Sequence, residues 1–541
     1  MITSAVSQGL LRMTKRATGD VEVIIIGAGP NGLAAANVVA DAGWSVLLLE
    51  AECTVGGAVR SDRGVHSDFI HDTFSAFYPL AAASSVIGKL GLEEHGLRWR
   101  HAPAVLGHPR PDGGWALLHR DIDATVAGLD EHSRGDGAVW RELYDQWQRI
   151  GPAVVDSLLS PFPPVRATMR VLRHLPGVGG MSFLRILLEP AQRLVDSRFD
   201  SEEARLLLAG CAAHADIPLE SPGSGLMALL LTLLGQTVGF PVPEGGAGAL
   251  SAAMSRRFES LGGTVRCDAR VTRIEVVNGK VDAVHLESGE RLRAARAVIA
   301  AVTAPLLYGG LIRTSDLPSN VRSGMRQFDL DPATVKVDWA LDGPVPWSSP
   351  PPTMPGTVHI ADSLDQLVGS LHQIRHHAVP AEPFLLAGQM ATADESRAPR
   401  GGESLWAYTH VPQTVRYDAG EDGISGAWNH DEAERMADRM QHRIESYAPG
   451  FSDKIIARRI LTPPELQRRD ASLIGGAING GTSELHQQLL FRPIPGFRRA
   501  STPIRGLFLA SASAHPGGGV HGAPGNNAAR AVLRAHRMGR L

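Results

Sequence analysis

The sequence predicts an α/β protein, with strand-and-helix patterns near its start and again far later in the chain. Three observations predict it. A β-branched run, Val21–Gly27, passes into a glycine-rich turn and then a helical pattern. A second apolar run, Trp44–Leu49, follows and ends at Glu50. Strand-like segments near 264–300 and a short apolar run at 507–509, followed by glycines and small residues, return far later in the chain.

Val21–Gly27 reads VEVIIIG, a near-continuous apolar run of the kind that forms a central parallel strand covered on both faces. The next residues are Gly27-Ala-Gly29-Pro-Asn-Gly32, then LAAANVVADAG, a helical pattern that ends at Gly43. Each glycine has a task. Gly27 permits the tight turn, Gly29 lets backbone approach a pyrophosphate, and Gly32 lets helix and sheet pack closely. The helix N-terminus offers free N–H groups to phosphate. Glu50 lies 18 residues beyond Gly32, where a carboxylate accepts from ribose hydroxyls. Strand, glycines, helix, strand and acid are in register, so the segment reads as a dinucleotide site.

The following residues, Glu50-Ala-Glu-Cys-Thr-Val-Gly56-Gly57-Ala58-Val59-Arg60-Ser61, resemble the glycine-rich extension of glutathione-reductase-type FAD domains, in the variant shared by flavin amine oxidases and phytoene desaturases. Arg60 is then placed to neutralise phosphate charge. Downstream, Val271–Val277 and Val281–Leu286 alternate like strands around an Asn278-Gly279 hairpin turn. The stretch Gly506–Val532 reads as strand, glycine loop (HPGGGVHGAPGNN) and small-residue helix. A helix N-terminus there suits negative charge on a reduced flavin.

Taken together, GAGPNGLAAA, LLLEAECTVGGAVRSD, PEGGAGAL, GGAINGGTSELHQQLLFRPIPG and ASAHPGGGVHGAPGNNAA resemble the phytoene-desaturase-like FAD oxidoreductases, and among them the clade of pyridine nucleotide-disulfide oxidoreductase domain-containing protein 2. The resemblance spans residues 21–536. It implies a Rossmann-type FAD domain built discontinuously from 20–95, 240–310 and 495–541, and a mixed-sheet plus helical substrate domain from 96–239 and 311–494. Residues 1–20 are expected to be a leader without ordered structure. The cofactor residues it implies are Gly27, Gly29, Asn31, Gly32, Glu50, Ala51, Gly56, Gly57, Ala58, Arg60, Val271, Ala512, Gly518, Gly519, Val520 and Gly522. FAD is expected to be noncovalent, because Cys53, Cys211 and Cys267 leave the C-terminal segment without a cysteine. The loop Pro243–Leu250, which opens a helix, either touches the cofactor or only caps that helix.

The expected reaction is dehydrogenation or desaturation of an apolar, carotenoid- or isoprenoid-like small molecule by hydride transfer to flavin N5. The flavin carries the chemistry, so few acid–base residues are needed. Lys336, one of five lysines, lies in the alternating run Ala333–Leu341. Flavin amine oxidases carry a lysine on a similar strand, and the resemblance makes Lys336 a candidate catalytic residue. Thr334, Lys336 and Asp338 share one face, which a solvated surface also explains. His515 is the second catalytic candidate. His521 is expected at the flavin or as a cap of its loop, and His71 as a packed loop histidine, with a place in the wall of the substrate site as the alternative. A flavin amine oxidase is the enzymatic rival, and no aromatic cage pair stands out in a chain with 5% aromatic residues. A noncatalytic lipid-binding protein of the same fold is the other rival.

Composition agrees with these expectations. A chain of 541 residues with 20% charged residues and net charge −3 is neither disordered nor a nucleic-acid binder by charge. Three scattered cysteines without CxxC exclude a dithiol centre, and no metal site is expected. No run reaches the ~20 apolar residues of a spanning helix. The apolar stretch Gly225–Val242 is therefore read as a buried helix, with a substrate-tunnel wall or bilayer contact as the alternative. A cytoplasmic protein is expected, with peripheral membrane contact and oligomeric state left open.

Overall fold

The computed structural model describes residues 21–497 and 499–541, so the expected leader lies outside it. Its centre is a five-stranded sheet in the order Leu507–Leu509, Ala294–Ala300, Val21–Ile26, Val46–Leu49, Thr264–Arg266. Every neighbouring pair is parallel. Strands about 480 residues apart thus share one sheet, because each is a short β-branched or apolar run that must be covered on both faces. Helices Pro30–Asp41, Gly248–Ser260 and Ala523–Arg537 pack around it. The antiparallel hairpin Val271–Val277 and Lys280–Leu286 turns at Asn278-Gly279, where both residues have positive φ (51° and 70°), as a two-residue hairpin requires.

The second sheet has seven strands in the order Ile455–Leu461, Ala333–Leu341, Glu403–Val411, Leu385–Gln389, Pro355–Ile360, Ala104–Pro109, Trp115–Leu118. Pro355–Ile360 and Ala104–Pro109 run parallel, and the other neighbours are antiparallel. Helices between Ile122 and Thr237 cover one face of it. The α/β class, with its parallel and mixed sheets, is the one the sequence predicts.

The apolar stretch at 225–242 forms the helix Ser224–Thr237. Its buried Leu229, Leu233 and Leu234 join the core, and Gln236 is satisfied inside it by Trp140 Nε1–H and the His119 carbonyl. No helix among the described residues is long and apolar enough to cross a membrane.

Two glycines set the closest helix contacts. A Cβ on Gly32 would lie 1.9 Å from the Gly27 carbonyl oxygen, and one on Gly525 would lie 1.9 Å from the Asn31 carbonyl oxygen. The first helix therefore sits tight on its own turn, and the last helix sits tight on the first.

The strand Ala333–Leu341 is buried at all nine positions. This corrects the solvated-face alternative for Lys336. Period two places Thr334, Lys336 and Asp338 together, yet the strand is interior to the sheet and covered on both sides.

Candidate active site

One cavity of about 690 Å³ joins the glycine-rich turns of the parallel sheet to the face of the seven-stranded sheet. That is within the usual ~300–1,000 Å³ of small-molecule and cofactor sites. Of the sequence-predicted residues, Gly27, Gly29, Asn31, Glu50, Ala51, Gly57, Ala58, Arg60, Val271, Lys336, Ala512, Gly518, Gly519 and Val520 line it. Gly32, Gly56, Gly522 and His515 are not in its wall. The three glycines lie behind it: Gly32 against Gly27, Gly56 against the Val59 carbonyl, and Gly522 against Ala34, Val86 and Ile87.

At the glycine end, Glu50 is buried, and its carboxylate accepts from Ala28 N–H (2.7 Å) and Glu52 N–H (3.0 Å). Burial raises its pKa, and these two N–H groups work against that rise. The helix Pro30–Asp41 begins without a side-chain cap, leaving its first N–H groups free. The Asn31 Oδ1 is buried with no hydrogen-bond partner. Gly29 has ordinary extended backbone, and a Cβ there would meet no protein atom closer than Gly57 Cα at 3.8 Å. The chain itself therefore does not demand glycine at 29. The space in front of it, the orphaned Asn31 oxygen and the uncapped helix all fit a bound pyrophosphate–ribose group.

Arg60 lines the cavity, but its Nη2 donates to the Arg469 carbonyl (2.6 Å) and its guanidinium lies 5.4 Å from the Phe74 ring centre. Its direct contacts are to neutral groups, and its charge acts on the nearby carboxylates Glu50 and Asp470. The loop Pro243–Leu250 does not line the cavity. Its N–H groups go to protein: Ala247 to Asp72 (2.8 Å), Gly248 to Ser61 Oγ (3.0 Å), and Gly245 to Asp394 (2.8 Å).

At the sheet end, Lys336 Nζ is buried and donates to the Asp72 carbonyl (2.9 Å) and to the Asp338 carboxylate. Asp338 also accepts from Arg459 Nε (3.0 Å) and Nη2 (2.8 Å). Burial lowers the Lys336 pKa from 10.5, and Asp338 opposes the fall. Trp406 and Tyr408 on the neighbouring strand also face the cavity, a pair that sequence reasoning missed. Their ring centres are 5.9 Å apart with planes 14° apart. A substrate layer between two rings needs about twice the 3.5–4 Å contact distance, so these rings pack on each other and leave no slot. Gly388 makes room for the indole, since a Cβ there would lie 2.4 Å from Trp406 Cε2. Phe77, Leu80, Met227, Leu230, Leu231 and Phe240 form an apolar stretch of the same wall.

The histidine candidates turn elsewhere. His515 Nε2 sits 3.1 Å from the Ser160 carbonyl, and its ring meets Phe162 edge-on at 5.8 Å. His521 caps its own loop, with Nδ1 accepting from Ala523 N–H (3.1 Å) and Nε2 donating to the Gly518 carbonyl (3.1 Å). His71 is packed against the Trp339 carbonyl (3.0 Å).

The segment Gly475–Gly496 supplied only resemblance in the sequence, and the structure gives it a physical task. Buried Arg492 donates to the carbonyls of Thr482 (2.9 Å), Asn479 (3.1 Å), Gly481 (3.2 Å) and Ala512 (2.8 Å). Asp331 accepts from Ile478, Asn479 and Gly481 N–H. Burial drags the Arg492 pKa down to about 10 while Asp331 and Asp216 hold it up. This knot fixes Ile478, Asn479 and Gly480 beside Ala512 in the cavity wall.

The profile of the family described as flavin containing amine oxidoreductase matches residues 31–398. The mouse (Mus musculus) pyridine nucleotide-disulfide oxidoreductase domain-containing protein 2 is 28% identical, over 95% of this chain and 94% of that protein. Hydroxyneurosporene desaturase of Rhodobacter capsulatus is 26% identical, over 95% of this chain and 98% of that one. Among solved structures, an oxidoreductase from Methanosarcina mazei superposes with a TM-score of 0.60 at 14% identity, covering 95% of this chain and 99% of the other.

Proposed function

This chain belongs to the flavin-containing amine oxidoreductase family, and from that premise we propose that it dehydrogenates an apolar, isoprenoid-like small molecule. It is an FAD-dependent oxidoreductase. Bound FAD supplies the hydride acceptor. In our reading, the glycine turns and the helix Pro30–Asp41 hold the pyrophosphate, Glu50 the ribose, and the 512–520 loop the ring. The parallel-sheet part is then the FAD domain, and the seven-stranded sheet with its helices is the substrate domain.

The observation that carries the substrate class is the charge layout of the cavity wall. The wall carboxylates Glu50, Glu52 and Asp470 belong to the glycine end, where a Cβ on Gly57 would lie 3.5 Å from Asp470. Among the described residues that line the apolar end, Lys336 carries the one full charge, positive and paired with Asp338, which is not in the wall. A cationic amine finds there neither a carboxylate nor an aromatic slot, whereas a hydrocarbon chain finds Phe77, Leu80, Met227, Leu230, Leu231 and Phe240. The desaturase relatives support the same class.

The experiment is a visible spectrum of the purified protein before and after acid precipitation, then anaerobic titration with acyclic isoprenoids and with primary amines. Release of FAD to the supernatant and bleaching by isoprenoids is the expected result. Bleaching by amines alone would place the activity with the amine oxidases. No flavin and no uptake of added FAD would leave only a noncatalytic lipid binder.

Glu50→Ala is expected to weaken FAD by roughly 1–3 kcal/mol through lost charged hydrogen bonds. Flavin-fluorescence titration of the apo-protein measures this, and an unchanged Kd would refute the ribose assignment.

We also assign a peripheral membrane contact to the helix Val165–His174 and the turn after it. Val165, Met169 and Leu172 there, and Met181 and Leu188 at the ends of the next helix, Met181–Leu188, are all more than half exposed, and Arg166 and Arg173 lie on the helix Val165–His174. That is the composition of an interfacial helix. Met169→Glu with Leu172→Glu is expected to cut co-sedimentation with anionic vesicles by about tenfold or more, as loss of even one buried side chain implies. Equal sedimentation of variant and wild type would rule the contact out.

A further inference from the structure

Three histidines far apart in sequence form a chain that ends at the cavity. His108 Nε2 lies 3.0 Å from His359 Nδ1, and His359 Nε2 lies 2.8 Å from His214 Nε2. His108 and His359 are fully buried on adjacent parallel strands, and Phe384 packs edge-on against His359. His214, in the turn Ala213–Ala215 after the helix Glu202–Ala212, is partly exposed and lines the cavity beside Met227 and Leu230. The helix lies over the pair only because residue 210 is glycine. A Cβ there would come within 2.5 Å of His359 Nδ1 and 2.7 Å of His108 Nε2. Among the described residues, no His, Cys, Asp or Glu cluster suits a metal ion.

Burial disfavours charge on all three rings, and no carboxylate pairs with any of them. The charges acting on the chain are Arg110 at the His108 end and, beside His214, the ring of His410. Each neutral imidazole has one N–H and one lone pair. The tautomer of His359 therefore sets both contacts at once. If His359 donates to His108, the His108 Nδ1 carries a proton in the interior with nothing to accept it, since that atom is buried without a partner. If His359 donates to His214, the orphan at His108 is only a lone pair. Buried donors without acceptors are the rarer case. The second polarity therefore wins, and it leaves His214 with its proton on Nδ1, an atom with no hydrogen-bond partner among the described residues.

A separate observation marks the same place. Thr357 lies two residues before His359 on the same strand face, is 2% exposed, lines the cavity, and its Oγ1 is buried without a partner. An unmatched hydroxyl thus lines the cavity on the strand face that carries His359, the ring in contact with His214.

We propose that the His108–His359–His214 chain is polarised toward the cavity, so that His214 Nδ1–H, with the Thr357 hydroxyl, anchors an oxygen function on an otherwise apolar substrate. The substrate class is then an isoprenoid carrying a carbonyl or hydroxyl rather than a plain hydrocarbon. This rests on the apolar-substrate reading above and narrows it. His214 is a substrate-binding residue, and His359 and His108 are positioning residues that hold its tautomer.

The test uses the FAD-loaded protein and three probes of one chain length: farnesene, farnesol and farnesal. Binding is read by quenching of tryptophan fluorescence, and nitrogen-15 histidine labelling reads the tautomers. Farnesol and farnesal are expected to bind about tenfold more tightly than farnesene. His214→Leu is expected to remove that preference, so that the three probes bind alike. His214 is expected as the Nδ1–H tautomer and His359 as the Nε2–H tautomer. Equal binding of all three probes to the wild-type protein overturns the inference and leaves the apolar-substrate reading standing. A gain for farnesol alone means the opposite polarity and also overturns it. If none of the three binds to flavin-loaded protein, both readings fall. The wild-type comparison needs no variant, so a poorly folding His214→Leu does not shield the proposal.

Discussion

Gly29→Val is expected to give a folded protein that carries no flavin. The backbone at Gly29 is extended (φ −70°, ψ 176°), a conformation that valine favours. Its Cβ would make only an ordinary contact with Gly57 Cα. Everything else the side chain enters is cavity, in the space assigned to the pyrophosphate. Gly32→Val is the contrasting case, since its Cβ would fall 1.9 Å from the Gly27 carbonyl oxygen and the helix would have to leave the sheet. The Gly29 variant should therefore keep the unfolding temperature of the apo-protein and lose at least about tenfold in flavin affinity, or ~1.4 kcal/mol. The Gly32 variant should be insoluble or far less stable. Flavin absorbance per protein and thermal unfolding of the apo forms separate the two. Normal flavin content in Gly29→Val would remove that residue from the cofactor cradle.

Lys336→Met is expected to keep FAD and slow flavin reduction or reoxidation by about 10²-fold, the lower range for a positioned acid or base. Methionine fills the same unbranched space. Asp338 keeps both bonds from Arg459, so no buried carboxylate is left alone. What disappears is the ammonium at the cavity wall. The Asp72 carbonyl loses one donor, at about 1–3 kcal/mol. Stopped-flow measurement of the two half-reactions is the check, and unaltered rates in both would exclude Lys336 from the mechanism.

The pH behaviour has a definite sign. The folded Lys336 pKa is depressed below 10.5, so activity that needs the ammonium falls as pH rises through that lower value, and the limb vanishes in the methionine variant. Asp338 is also depressed, from 3.8. Its contribution to stability is complete above 3.8 and is lost as pH falls through the folded value.

Local features were legible in the sequence because local chemistry dictates them. The turn at Gly27–Gly32 needs its glycines within six residues, and Asn278-Gly279 makes a hairpin from two. What resisted reading is nonlocal. Period two placed Lys336 and Asp338 on one face but said nothing of the strands on either side, and those are what bury the pair. Trp406 and Tyr408 are two residues apart, yet only the partner strand with Gly388 makes them a wall of the cavity. His515 was placed at the flavin from its seat in a glycine loop, while the side chain turns toward Ser160. Arg492 sits in a segment recognisable only by likeness, and its carbonyl partners at 479–482 and 512 come from two loops that no spacing rule connects. Residues 108, 214 and 359 meet because two strands run parallel and a helix carries glycine where it crosses them.

The contact of Gly525 with the Asn31 carbonyl has a consequence for the order in which this molecule comes into being. A nascent chain emits its first strand and helix about 480 residues before the strand Leu507–Leu509 and the helix Ala523–Arg537 that complete their layer. Until that stretch is made, the side of the first helix at Asn31 and Ala35 has no helix against it, and the cavity lacks the wall made by Ser511, Ala512 and Gly518–Val520. The part of the cavity wall that meets Gly480 is therefore made late, and a chain that stops before residue 507 lacks it.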